Sequence, residues 1–293
     1  MINTLHLGLS YNCNMKCKHC FVNKQNDNLD IDTLKKTIDY LEERGLFFVI
    51  YTFGEPLLAK SLWDVSKYVV SKGLIQTLMT NGSLINEKTI IQLKKHKINN
   101  IYISLDSINK EKHDNNRNYK GAYEKAIKAI KLLVKNDFNV GIATTINDNN
   151  VLEMKELLSL AKSLKVNSIS FLRERKSSIL ADINNIEYYN DFYKEYICSN
   201  KKINVLFHDP SLLKITKDLY EEGKIDINTY EKYYDMNSCH YSTTLSIEPN
   251  GNVKNCNLIN NKIGNINETD IKSLLKEGSE KNECISCYTK FSK

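Results

Sequence analysis

The chain of 293 residues contains no apolar stretch approaching the length of about eighteen residues that a membrane-spanning helix needs. Its opening residues, Met1-Ile2-Asn3-Thr4-Leu5-His6, lack the basic, apolar and small-residue segments of a secretory signal. Blocks of about five or six like charges are missing too. The formal net charge of +6, from 41 basic and 35 acidic residues, is therefore a mild excess spread along the chain. A solvated surface is expected from it, with neither a nucleic-acid nor a membrane partner. Solenoid-type repeats and low-complexity tracts are absent, which excludes stacked-repeat architectures. What remains is an ordinary globular composition, long enough for one catalytic domain with a small appendage.

Cysteine is the residue that stands out, with eight copies. Without a secretory signal, a reducing cytoplasmic setting is expected, where clustered cysteines serve metal or redox chemistry more often than cross-links. Three of them, Cys13, Cys17 and Cys20, sit in the run Cys-Asn-Met-Lys-Cys-Lys-His-Cys. Iron–sulfur clusters are normally gripped by four cysteine thiolates, so a set of three reads as a site left open for another ligand. Three thiolates plus His19 would equally complete a tetrahedral zinc site.

The run Leu5-His6-Leu7-Gly8-Leu9 places this loop after a first strand. Short β-branched and aromatic runs predict further strands over 46–52, 75–80, 100–105, 139–146 and 168–172, after the first at 4–9. Helical patterns fall between them over 32–44, 62–72, 87–95, 121–135 and 152–164. Six βα units imply an α/β fold, a parallel sheet curled into a partial (β/α)6 TIM-like barrel with its active loops at the strands' carboxyl ends. Beyond residue 173 the pattern changes: an aromatic-rich helix over 186–198, a strand over 205–208 and a helix over 211–222. A β-hairpin over 243–248 and 253–256 turns at Pro249-Asn250-Gly251-Asn252. The expected domains are 1–185 (barrel), 186–236 (helical connector) and 237–293 (a small cysteine-rich C-terminal domain).

Several strand ends carry candidate site residues. Phe53-Gly54-Glu55-Pro56 offers a close backbone approach at Gly54 and a carboxylate at Glu55. Ile103-Ser104-Leu105-Asp106 alternates polar and apolar residues, as a strand facing a lumen would. Asp106 reads equally as a cap of the next helix or as a ligand contact. His113-Asp114-Asn115-Asn116-Arg117 precedes the helix expected to open at Gly121.

The spacing C-x3-C-x2-C, with His19 before the last cysteine, resembles the signature of radical S-adenosylmethionine (SAM) enzymes. The Gly54-Glu55-Pro56 turn, Thr80-Asn81-Gly82 and Ser104 to Asp106 resemble strand-end phrases of the same family. The resemblance implies a [4Fe–4S] cluster on Cys13, Cys17 and Cys20 whose open iron binds SAM. Reductive cleavage of SAM would then yield a 5′-deoxyadenosyl radical that takes a hydrogen atom from substrate. It further implies that Gly54 and Glu55 hold the methionine amino group of SAM, Ser104 faces its ribose or carboxylate, and Arg117 pairs with that carboxylate; His19 belongs to the cofactor-binding set. Phe53 departs from the family pattern, which has glycine there.

Cys239, Gly251 and Cys256, followed by Cys284-Ile285-Ser286-Cys287, resemble the first part of the SPASM domain that follows many radical SAM barrels. With the chain ending six residues after Cys287, the shorter twitch form is expected. Four thiolates, Cys239, Cys256, Cys284 and Cys287, would hold an auxiliary [4Fe–4S] cluster; a structural zinc ribbon is the alternative. Cys198 reads as a small buried hydrophobe, and His6, His96, His208 and His240 as structural. Tyr188, Tyr189, Tyr193 and Tyr196 read as core packing on one helix.

The expected function is that of a radical SAM oxidoreductase or peptide-modifying enzyme acting on a peptide or protein side chain. A dehydrogenase of small-molecule alcohols and a non-catalytic zinc-binding protein are the alternatives. Expected partners are the peptide or protein substrate, a separate recognition protein, and an electron donor such as flavodoxin or ferredoxin. No residue is assigned as the catalytic base.

Overall fold

The computed structural model describes residues 1–22, 25–176, 179–199, 203–238, 243–256 and 262–278. Cys239, His240, Cys284 and Cys287 lie outside the described residues.

Six βα repeats run in chain order. The strands are β1 (Thr4–Gly8), β2 (Phe48–Thr52), β3 (Ile75–Thr80), β4 (Asn100–Ser104), β5 (Asn139–Ile146) and β6 (Ser168–Arg173). The helices are α1 (Ile31–Glu42), α2 (Leu62–Ser71), α3 (Glu87–Lys95), α4 (Lys110–Arg117), α5 (Ala122–Lys135) and α6 (Met154–Ser163). A two-residue ladder, β7 (Arg175–Lys176) with β8 (Ile179–Leu180), follows. Then come α7 (Ile186–Cys198), β9 (Asn204–Phe207), α8 (Leu213–Glu221), α9 (Ile227–Asn237), β10 (Thr244–Ile247), β11 (Asn252–Lys254), β12 (Lys262–Asn265) and α10 (Ile271–Gly278). Among the described residues no helix is long and apolar enough to cross a membrane.

One sheet has the order β12-β11-β10-β1-β2-β3-β4-β5-β6-β9. Within this sheet the described strands pair in parallel from β10 through β9 and antiparallel at β10–β11 and β11–β12. The expected α/β architecture, a parallel sheet with helices and a C-terminal hairpin, is the architecture present. Alternation within each strand sets its two faces. Leu5, Leu7, Val49, Tyr51, Leu78, Ile101 and Ile103 are fully buried in the main hydrophobic cluster with helix residues such as Leu34, Ile38 and Val65. Each such side chain contributes about 1.5–3 kcal/mol of burial. The alternate residues, His6, Ile50, Thr77, Met79, Tyr102 and Ser104, are only partly covered although their strands are central. They face the inside of the curled sheet.

The helices follow from amphipathic spacing and caps. In α5 the buried positions Ala126, Ala129, Ile130 and Leu133 recur at helical intervals with lysines opposite. Asp30 caps α1 by accepting from the Thr33 backbone N–H at 2.7 Å, and Asn86 does the same for Thr89 ahead of α3 at 3.1 Å.

Three features differ from expectation. The sequence pattern predicts no helix over 110–117, yet α4 forms there. It has no apolar stripe; Asn109 caps its start, Asn118 ends it in the left-handed region at φ 48°, and the buried positions are His113 and Arg117, one turn apart. Residues 227–237, for which the sequence pattern names no separate helix within the connector, form α9, capped by Asp226. Cys198, expected to be buried, is exposed: Tyr189, Phe192, Tyr193, Tyr196 and Ile197 take the inward stripe of α7, and the next position turns outward.

β10 lies parallel beside β1, with Leu5 opposite Leu245 and Leu7 opposite Ile247. The backbone N–H groups of Asn3 and Thr4 both donate to the Thr243 carbonyl. The boundary expected at 237 thus falls at the end of α9, and the strands after it extend the barrel's own sheet. Gly8 marks where three elements meet. A Cβ there would sit 2.6 Å from Pro249 Cδ and 2.8 Å from the Phe53 ring, so only glycine lets the ends of β1, β2 and β10 converge.

Candidate active site

The cysteine loop follows β1 at its carboxyl end, with Cys13 five residues after Gly8, and is fastened by four neighbouring elements. From the β2 end, the Glu55 N–H donates to the Asn12 carbonyl at 2.8 Å. Gly54 makes this approach possible: a Cβ there would sit 2.5 Å from the Asn12 carbonyl oxygen, and its φ is +52°. Phe53, the departure from the family pattern, is itself left-handed at φ 63°. For a residue with a side chain this costs about 1–2 kcal/mol, offset by burial of its ring over Gly8. From the β3 end, Asn81 Nδ2 donates to Asn14 Oδ1 at 2.9 Å, and Asn14 Nδ2 donates to Ser83 Oγ at 2.8 Å.

From α4, the Asn116 carbonyl accepts from the Lys18 N–H at 2.9 Å, and Asn115 Oδ1 accepts from Lys18 Nζ at 2.8 Å. From the β10 end, Glu248 accepts from Tyr11 OH at 3.4 Å and pairs with Lys254. Asp27 receives the Tyr11 N–H at 2.7 Å and the Ser10 hydroxyl.

Within this frame Cys13 and Cys17 are half-buried and Cys20 is exposed. The Met15 N–H donates to Cys13 Sγ at 3.4 Å, and Arg117 Nη1 lies 3.8 Å from Cys17 Sγ. Burial pushes the Cys17 thiol up, and the Arg117 guanidinium pulls against it. His19 turns its Nδ1 toward Asn116 Oδ1 at 3.3 Å, and burial lowers its imidazole. Among the described residues no three His, Cys, Asp or Glu side chains converge tightly enough for a single metal ion. Three thiols on one loop, with N–H donors aimed at two of the sulfurs, are the donor set that suits an iron–sulfur cluster.

Glu55 is 1% exposed, and both its oxygens are engaged. Thr80 Oγ1 donates to one at 2.7 Å, and the Asn81 N–H donates to the other at 2.9 Å. The Leu57 N–H adds a third donor at 3.2 Å. Burial pushes the carboxyl above its usual range, against the pull of these donors. Ser104 ends β4, half-buried, on the same face as Tyr102.

Arg117 is 8% exposed and meets Asp106, which is 1% exposed: Nε lies 2.7 Å from Oδ2, and Nη2 donates to Oδ1 at 2.8 Å. Asp106 also accepts from Asn116 Nδ2 at 2.8 Å and from the Thr145 N–H at 3.1 Å. Burial raises the Asp106 carboxyl, but the charge of Arg117 and the nearby imidazoles outweigh it and hold the group low.

The structure therefore brings Cys13, Cys17, Cys20, His19, Gly54, Glu55 and Arg117 to one end of the sheet, with Ser104 at the end of a neighbouring strand. Cys256 lies two residues beyond β11, while Cys239, Cys284 and Cys287 are outside the described residues. Asn14, Asn81 and Asn116 supply many of the ties. They lie inside the quoted motifs, but sequence reasoning gave them no role.

The Radical SAM superfamily pattern matches residues 8–161, more than half of the chain. The chain belongs to the radical SAM superfamily. Membership implies a [4Fe–4S] cluster and SAM as cofactors. The chain is 32% identical over 160 residues to the AdoMet-dependent heme synthase of Methanosarcina barkeri, covering 53% of this chain and 46% of that protein. It is 31% identical over 167 residues to the antilisterial bacteriocin subtilosin biosynthesis protein AlbA of Bacillus subtilis, covering 56% and 37%. The chain thus spans less than half the length of either relative. Streptococcus suis SuiB, solved with S-adenosylmethionine bound, shares the fold with a TM-score of 0.73 at 18% identity, over 98% of this chain and 71% of that one. The same protein has been solved with its precursor peptide SuiA.

Proposed function

We propose that this radical SAM enzyme modifies a peptide or protein side chain and carries a second, auxiliary [4Fe–4S] cluster of twitch type on Cys239, Cys256, Cys284 and Cys287. The observation that carries the reading is the thiol loop of Cys13, Cys17 and Cys20, tied to the ends of β2 and β3 and to α4, beside a partly covered inner face. Fold likeness to SuiB over nearly the whole chain supports a peptide substrate, as does similarity to the subtilosin biosynthesis protein. Similarity to a heme synthase favours a small molecule as the second reading.

When bound, the cluster and SAM supply one-electron chemistry that removes a hydrogen atom from substrate. The chain's own residues then have defined tasks. Cys13, Cys17 and Cys20 would hold the cluster. Gly54 brings the β2 backbone against the loop, and Glu55 fixes the β3 end rather than pointing a loose carboxylate outward. His19, Ser104 and the neighbouring inner-face residues border the cofactor space. A flavodoxin or ferredoxin would deliver the electron, and a separate recognition protein would present the peptide.

Anaerobic reconstitution tests this. Iron and sulfide of about eight each per chain are expected for two four-iron clusters. Cys17→Ala should abolish reductant-dependent formation of 5′-deoxyadenosine. Zinc without sulfide, or retained 5′-deoxyadenosine in that variant, would overturn the reading. Mass spectrometry of a co-expressed candidate peptide separates the substrate classes: an altered peptide mass supports the first, an unaltered peptide beside a modified small molecule the second.

A further inference from the structure

We propose that Arg117 is a positioning residue for the cluster loop that raises the cluster's reduction potential through the Cys17 sulfur. The proposal rests on the reading of Cys13, Cys17 and Cys20 as cluster ligands.

The geometry begins with α4. Its last residue, Arg117, points inward one turn after His113, and both are buried. The guanidinium presents a planar fork of donors that stays charged at all physiological pH. Two of its nitrogens, Nε and Nη2, face the two oxygens of Asp106 at 2.7 and 2.8 Å. The third, Nη1, faces Cys17 Sγ at 3.8 Å. Nη1 and Nη2 thus each donate to a protein acceptor, while Nε lies within ion-pair distance of Asp106.

Asp106 is in turn immobilised. Asn116 Nδ2 and the Thr145 N–H donate to its oxygens, while its own backbone N–H donates to His113 Nδ1 at 3.1 Å. The ion pair is therefore a rigid bracket joining the end of β4, the end of β5 and α4 to the cysteine loop. A surface arginine would spend its charge on water; this one is held in a low-dielectric setting beside a single sulfur.

The sign follows from charge. Reduction adds an electron to the cluster and its thiolates. A hydrogen bond from Nη1, the positive end of the Asp106–Arg117 pair turned toward one sulfur, stabilises that more negative state, so the potential rises. Removing the guanidinium makes reduction harder.

The test is a redox titration, monitored by electron paramagnetic resonance, of the full chain reconstituted without SAM. It follows the cluster whose signal changes when SAM is later added. Arg117→Gln, compared with the wild type per loaded cluster, should give a more negative midpoint potential. Arg117→Lys, which keeps the charge but not the fork, should shift in the same direction by less, and it serves if the glutamine variant does not load. An unchanged or more positive potential in a loaded variant would overturn the proposal. So would a weakened SAM affinity at unchanged potential, which would assign Arg117 to the cofactor's carboxylate instead. A wild-type protein with no SAM-responsive cluster would sink the underlying reading, a distinct outcome from a cluster indifferent to Arg117.

Discussion

The mouth of the barrel and its far edge are built from different materials. At the mouth, the cysteine loop is held by amides, carboxylates and backbone groups: Asn14, Asn81, Asn116, Glu55 and the buried pair Asp106–Arg117. At the far edge, β6 and β9 are clasped by rings from α7 and α9. Phe207 lies 4.9 Å from Tyr193 and 6.0 Å from Phe171, while Tyr193 and Tyr233 are 6.2 Å apart. Even the hydroxyls there serve packing, with Tyr193 OH 2.6 Å from Thr216 Oγ1 and Tyr196 OH donating to the Ile203 carbonyl at 2.6 Å. Aromatic contact is strong and tolerant of angle. Hydrogen bonds are weaker in net energy but fix direction. The far edge thus carries stability, and the mouth carries geometry.

The largest test of that division is Phe207→Ala. Truncating this ring should cost about 3–5 kcal/mol, read as a lower thermal midpoint. Iron and sulfide content below that midpoint should stay at the wild-type level. Equal loss of cluster loading at low temperature would erase the distinction between the two regions.

A second test is acid. Burial lowers His113 from 6.5 to about 4, with Asp106 pulling the other way. The unfolded chain therefore takes up this proton first. Stability from the neutral imidazole is complete above pH 6.5 and drains as pH falls toward 4, by roughly 3 kcal/mol. His6, also held near 4 by burial and by His208, adds to the same slope. Urea midpoints measured across this window should fall steadily, and His113→Gln should flatten the fall. A profile already flat in the wild-type chain would contradict the assignment.

The smallest effect belongs to Asn14→Ala. It removes two ties to the β3 end, and each hydrogen bond is worth about 1 kcal/mol net. Global stability should fall by no more than about 2 kcal/mol, whereas iron retained per chain after desalting should drop. The reverse pattern would mean that the loop is shaped by its ligands alone.

How much of this was legible in the residues depends on the range of the interaction. The βα alternation was plain because strand and helix periodicities are local; β3 spans 75–80 and α3 spans 87–95, as the spacing predicts. The hairpin turn at Pro249-Asn250-Gly251-Asn252 was equally local. What escaped was α4, whose buried face is a histidine and an arginine with no apolar repeat. The partnership of Asp106 with Arg117 also escaped, because two readings of Asp106 fit a strand end equally well. Phe53 carried one signal of its left-handed conformation, its place where the family pattern has glycine, the residue that takes such a position without cost. The place of β10 beside β1 joins residues some 240 positions apart, and no local pattern encodes it.

That last pairing has a consequence for anyone cutting the chain. The segment matched by the family pattern stops at residue 161, but β1 finds its outer neighbour only after residue 243. A fragment lacking that return strand would present a long row of unanswered amide and carbonyl groups along its opening strand, with Leu5 and Leu7 stripped of Leu245 and Ile247. Such a margin recruits other chains. The catalytic barrel and the segment that follows it are therefore a single solubility unit, whatever their separate chemistries.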